Sequence, residues 1–169
     1  MNLQEQVMAE RRISDTTWMP ITLVASIVLT LLPVGDSLRL FWPHWTLMVL
    51  IYWVLEGNRL RWLGHPMLLG LVLDILTGSL LGQQALSFLL VSFFLSRFRN
   101  RLRFFPPWQQ ALAVGFLLSV DRWVELIVIA VTTEPWPPIL WYVAPLMGMV
   151  LWPFMFLALD ALRQQRRVI

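Results

Sequence analysis

The feature that most restricts this chain is its punctuation: six apolar runs follow one another, separated by short breaks rich in Gly, Pro and Arg. They cover 18–33, 43–55, 66–81, 83–98, 108–131 and 139–159. A bilayer core takes roughly 20 apolar residues as helix, with shorter runs accepted where the flanks snorkel or the bilayer thins. Among 169 residues 58% are hydrophobic and 14% charged, with a mean hydropathy of +0.67, well beyond a soluble domain. The expected fold class is therefore all-α, a polytopic transmembrane helix bundle of about six spans. The bundle is expected to be one domain over 18–159, between a cytoplasmic N-terminal segment over 1–17 and a basic cytoplasmic tail over 160–169. No removable signal peptide is expected, because no small-residue cleavage site follows the first run.

The breaks have local causes. Ser14 or Asp15 can cap the first run, and Pro33, Gly35 and Asp36 end it. Pro43 suits the first turn of the second run, which is short enough to be tilted or only partly spanning. The third and fourth runs read as a hairpin closing around Gly82. Pro145 and Pro153 are expected to kink the sixth.

All thirteen basic residues are Arg. Apart from Arg122 inside the fifth run, they fall in clusters between the runs: Arg11 and Arg12, Arg59 and Arg61, Arg97, Arg99, Arg101 and Arg103, then Arg163, Arg166 and Arg167, with Arg39 alone in the opposite loops. By the positive-inside bias this places both termini in the cytoplasm and requires an even number of spans. Clusters between apolar runs are topology signals and not the solvated basic face of a nucleic-acid binder. The 97–103 stretch also forms a cytoplasmic basic surface suited to anionic head groups. Trp18, Trp42, Trp45, Trp53, Trp62, Trp108, Trp136 and Trp141 lie near run ends, where interfacial placement is expected.

Few residues could carry chemistry. The chain has no Cys, and neither His44 nor His65 has a second His at metal-ligand spacing, so no metal and no cofactor is expected. His44, between Pro43 and Trp45, reads as an interfacial residue. Asp74 falls mid-run, where an ionisable group costs several kcal/mol unless paired, hydrated or protonated. Asp121, Arg122 and Glu125 sit near the centre of the fifth run. At helical spacing Arg122 and Glu125 can pair along one face, leaving a surplus carboxyl that needs a donor elsewhere. No nucleophile, oxyanion site or metal set accompanies these acids, and no catalytic residues are assigned. Gly78 and Gly82 match the small-xxx-small spacing of close helix contacts, but at the end of a run a turn is their better use.

Read in order, several segments resemble the MreD family of proteobacteria: Trp42-Pro43-His44-Trp45, then Leu50 to Trp53, then the stretch Gly70, Asp74, Gly78, Ser79 and Gly82. Trp108, Gln109 and Gln110, the acidic fifth run, Leu151-Trp152-Pro153-Phe154 and the basic tail follow in the same order. The resemblance implies a non-enzymatic, multi-pass subunit of the bacterial inner membrane that helps maintain rod shape through lateral peptidoglycan synthesis. Its partners would be MreC, the actin-like MreB filament, and the elongation glycosyltransferase and transpeptidase, met directly or through MreC. Membrane lipids would surround it, a homo-oligomer stays open, and the fold would be similar to substrate-binding subunits of vitamin transporters. Gly70, Asp74, Gly78, Gly82, Asp121, Arg122, Glu125, Trp152 and Pro153 would then be structural or partner-binding residues. The rival reading is a small-molecule-binding or transport subunit with an intramembrane polar cavity reached from the outer side. Asp74 and Asp121 sealed against protein would count against that rival. An intramembrane hydrolase has the least support.

Overall fold

A computed structural model describes residues 18–35, 41–56, 64–132 and 137–164. The described residues hold six α-helices and no strand: α1 (Trp18–Leu31), α2 (Trp45–Glu56), α3 (Gly64–Thr77), α4 (Gln83–Leu102), α5 (Pro107–Thr132) and α6 (Ala144–Gln164), the last preceded by a 3₁₀ turn, Ile139–Val143. Expectations that fall on 1–17, 36–40, 57–63, 133–136 and 165–169 lie outside the described residues. These include the caps at Ser14 and Asp15, the breaks at Asp36 and Gly57, Trp62, Trp136, and Arg11, Arg12, Arg39, Arg59, Arg61, Arg166 and Arg167.

The core is organised around α2. Its sequence has no polar stripe, and Thr46 through Leu55 are all buried. A helix that is apolar on every side must be covered on every side. α1 is tied to it by two hydroxyl contacts: Trp53 Nε1 donates to Thr22 Oγ1 at 2.8 Å, and the hydroxyls of Thr30 and Thr46 lie 2.9 Å apart. Trp53 is thus a core residue and not the interfacial ring expected of it. Its indole is 1% exposed because α2 is covered on every side. At twelve residues α2 is about 18 Å long, against about 39 Å for the 26 residues of α5.

The outer helices pack through small residues. A Cβ placed on Gly70 of α3 would lie 2.5 Å from the Ala85 nitrogen and 2.8 Å from the Gln84 carbonyl carbon, so the α3 and α4 backbones approach closer than any side chain permits. Gly115 of α5 faces Met149 of α6 at 3.2 Å, and Gly148 of α6 faces Leu118 of α5. Trp152 is fully buried in α6 with its ring against Phe156, 6.2 Å between centroids. Pro153 lies inside α6, as read from the sequence. Pro145 is in the first turn, where no intrahelical N–H is required, so it starts the helix and does not kink it.

Large apolar side chains cover the outside. Leu68, Ile75, Phe116, Trp123, Ile127, Val131, Phe154 and Leu157 are each more than 60% exposed. Water would not tolerate this surface, and hydrocarbon suits it. By length and composition alone, among the described residues, one unit, Ile139–Arg163, is long and apolar enough to cross a membrane; α1, α2 and α3 are shorter apolar helices.

The Gly70 contact carries a test. Gly70→Ala must push apart two backbones, and overpacking of this kind costs about 1 to 3 kcal/mol. Its unfolding midpoint in mild detergent, read by size-exclusion after heating, is expected to fall, whereas Gly35→Ala, which enters open space, leaves the midpoint unchanged. Equal midpoints would rule out the close α3–α4 approach.

Candidate functional site

The polar residues singled out from the sequence gather at two ends of the bundle and in its core. At one end lie the close of α1, the start of α2, the close of α3 and the start of α4 and of the 3₁₀ turn, which together enclose an open cavity of about 730 Å³. At the other end lie the close of α2, α4 and α6.

Asp74 organises the first end. It is not mid-span: α3 ends at Thr77, which puts Asp74 in the last turn, 1% exposed. Gly78, at φ +67°, adopts the left-handed conformation that terminates a helix, and the Ser79 N–H returns to the Asp74 carbonyl at 3.2 Å. Gly82, at φ +100°, supplies the second reversal. The chain then turns so that the Asp74 carboxylate faces the first turn of α4. It accepts from Ser79 Oγ at 2.9 Å, from the Gly82 and Gln84 amides at 2.8 Å each, and from the Ala85 amide at 3.5 Å. A carboxylate is well matched to a helix N-terminus, where unpaired N–H groups and the helix dipole favour negative charge. Asp74 therefore caps α4 from the neighbouring helix. Gly70 adds the close approach one turn earlier, so Gly70, Asp74, Gly78 and Gly82 form one hairpin.

Asp121 lies deeper. Ser87 Oγ of α4 donates to its Oδ1, and His44 Nδ1 lies 3.0 Å from its Oδ2. A carboxylate only accepts, so the proton is on Nδ1. The surplus carboxyl expected from two acids and one base thus finds its donors on α4 and in the segment just before α2. His44 is not the exposed interfacial ring expected. Its side chain is 10% exposed, and the ring leans on Phe88 with centroids 5.3 Å apart. Arg122 and Glu125 pair as their spacing predicts, at 2.8 Å, and the Arg122 guanidinium sits 4.4 Å over the Trp141 ring. Arg122, Glu125 and His44 line the cavity, together with Gln83 and Gln84. Asp74 and Asp121 are sealed behind its wall.

Trp152 and Pro153 join neither polar group. The basic residues sit at the opposite end, where Glu56 closes α2. Arg103 and Arg163 each reach the Glu56 carboxylate at 3.4 Å, and Arg99 Nε donates to the Leu55 carbonyl at 2.8 Å. Arg97 and Arg101 are exposed. Arg99 and Arg103 thus serve in part to satisfy the last turn of α2, a use that topology reasoning did not foresee. His44, Ser87, Trp141 and Glu56 were likewise missed as members of these groups; only Glu56, an acid ending an apolar run near Arg clusters, left a readable signal. Among the described residues no group of His, Asp and Glu is placed to hold a metal ion.

Comparison with known proteins gives a consistent result. The sequence profile of the family described as rod shape-determining protein MreD matches residues 10–162. The chain is 30% identical over 145 residues to the rod shape-determining protein MreD of Haemophilus influenzae, covering 84% of this chain and 88% of that one. No solved structure matches.

The Asp74 geometry carries a graded prediction. Asp74→Ala leaves buried amide donors of α4 without an acceptor and is expected to cost about 1 to 3 kcal/mol of stability. Asp74→Asn keeps one acceptor oxygen and should cost less. Thermal unfolding in detergent measures both, and two variants as stable as the parent would show that the cap contributes nothing.

Proposed function

Since the chain belongs to the MreD family of rod shape-determining proteins, we propose that it serves rod-shape determination as a non-enzymatic scaffold of the inner membrane, binding MreC and, directly or through it, MreB and the elongation glycosyltransferase and transpeptidase. In this reading both termini are cytoplasmic, the six helices thread a single bundle, residues 1–17 and 160–169 face the cytoplasm, and Arg97, Arg99, Arg101 and Arg103 meet anionic head groups.

The observation that carries the scaffold reading is how the buried acids are used. Asp74 and Asp121 spend both carboxylate oxygens on donors from the same chain, which fixes α2, α3, α4 and α5 against one another. What such a bundle offers a partner is a rigid apolar surface with fixed helix spacing. A single partner helix would dock there by close packing and interhelical hydrogen bonds, each worth about 1 kcal/mol. The Arg103 and Arg163 contacts to Glu56 support the proposed sidedness, since they gather the closes of α2, α4 and α6 at one end.

The test is recovery of the tagged chain from its own membrane in mild detergent, with protein partners identified by mass spectrometry and cell shape scored in parallel. MreC is expected in fixed ratio. Asp74→Ala is expected to lose both MreC and rod shape, while Leu112→Ala, on the exposed face of α5, keeps them. Absence of MreC from the wild-type preparation sinks the scaffold reading; intact MreC association, protein level and rod shape in both Asp74→Ala and Asp74→Asn sinks the role given to Asp74.

A further inference from the structure

The outward apolar faces of the bundle have two different heights. On α5 the exposed residues Trp108, Leu112, Phe116, Trp123, Ile127 and Val131 follow one broad face over about 35 Å. Beside it, Ile139–Arg163 is long and apolar enough to cross a membrane. These two elements match or exceed the roughly 30 Å of a bilayer core. The other side is short. Exposed apolar residues run from Ile21 to Leu31 on α1 and from Met67 to Leu76 on α3, about 15 and about 14 Å. On α4, Leu86, Phe93 and Phe94 lie between Gln84 and the exposed Arg97, and the intervening residues 85–96 rise about 18 Å. The flanks add little apolar length: Asp15, Thr16 and Thr17 precede α1, and Arg61 stands three residues before α3. Beyond α3, Leu80 and Leu81 belong to the turn that folds back into α4.

The cavity of about 730 Å³ lies at the end of this short side. α1 and α3 finish at its wall and α4 starts there, so the height that longer helices would fill is open space, lined by Thr77, Ser79, Gln83 and Gln84. Polar side chains at that level are costly against hydrocarbon and well placed against water or lipid head groups. A span shorter than the bilayer core is accommodated by snorkelling flanks, by oligomerisation or by thinning of the lipid, and tilting only lowers its reach. Snorkelling needs a long cation. Among the described residues, neither the last turns of α1 and α3 nor the first turn of α4 holds an Arg. Association of membrane helices favours small residues at the contact. The faces of α1 and α3 instead carry Ile21, Val24, Val28, Leu68, Val72 and Ile75, while Gly70, Gly115 and Gly148 are taken up inside the bundle. Thinning of the lipid remains.

We propose that the bundle thins the bilayer on one side only. Lipids against α1, α3 and α4 draw in to about 20 Å of hydrocarbon, while those against α5 and α6 keep about 30 Å. On the thin side, water and head groups reach the cavity. The partner of this face is a lipid surface, and short acyl chains fit it best. The proposal rests on the bundle spanning the membrane, as in the proposed function, and does not depend on MreC.

The full chain is reconstituted without MreC in fluid phosphatidylcholine vesicles whose monounsaturated chains have fourteen, sixteen, eighteen or twenty carbons. Quenching of its Trp fluorescence by brominated lipids, competed against each chain length, gives relative lipid affinities. The fourteen-carbon lipid is expected to bind about fivefold better than the twenty-carbon lipid. Small-angle X-ray scattering from the eighteen-carbon vesicles should show the head-group spacing fall by about 2 Å as the protein fraction rises. Arg97→Leu lengthens the apolar face of α4 and should move the preference toward longer chains, whereas Leu112→Ala, on the tall side, leaves it unchanged. If Arg97→Leu does not fold, the wild-type affinities and spacing decide. Affinity indifferent to chain length, affinity greatest for the longest chains, or unchanged spacing overturns the proposal. So does a cross-linked dimer in the eighteen-carbon vesicles with unchanged spacing, which would assign the short side to a second copy. A chain that enters vesicles of no length overturns the membrane reading and this proposal with it.

Discussion

A twelve-residue helix with no polar side has to be buried all round, and the rest of the bundle is arranged around that requirement. α2 is shorter than the helices that enclose it, so both its ends stop inside the protein. Each end leaves backbone groups that water cannot reach freely, and such groups are costly unless another part of the chain supplies partners. At the close of α2, Arg99 takes the Leu55 carbonyl while Arg103 and Arg163 hold Glu56. At its start, Thr30 takes one amide, and the space above remains as the cavity. The polar map of the molecule follows from one helix being too short for its position.

The two buried aspartates of the bundle solve different problems. Asp74 answers the hairpin: α3 and α4 approach closely at Gly70, and the acceptor that meets the first amides of α4 comes from α3 itself. Asp121 answers a junction of three helices, linking α5 to Ser87 of α4 and to His44 before α2. Neither could be replaced by a neutral apolar residue without leaving donors unpaired in the interior, where an unmade hydrogen bond costs more than a made one contributes.

Much of the architecture was legible from sequence because hydrophobic runs and their breaks are local signals. The helical fold class, the hairpin at Gly82 and the Arg122–Glu125 pair all depend on residues near one another in the chain. What was illegible depends on distance. His44 and Asp121 are 77 residues apart, and nothing in either neighbourhood names the other. Asp74 looked mid-span because the apolar run continues to Leu81, but helix geometry is ended by Gly78, and the last apolar residues belong to the turn. Trp53 looked interfacial because it stands near the end of a run. A run that is itself central has no interface near its ends, and that fact is visible only after the helices are packed.

A division within the polar residues bears on what the bundle can do. The acids with two or more donors each are closed off, and they act on the position of helices. Among the described residues, the buried side-chain atoms without a hydrogen-bond partner include His44 Nε2, the indole nitrogens of Trp18, Trp45 and Trp152, Ser92 Oγ and Gln110 Oε1. These atoms are scattered along α1, α2, α4, α5 and α6, so the core is held chiefly by apolar packing, with Asp74 and Asp121 supplying the polar links that set the spacing of the helices.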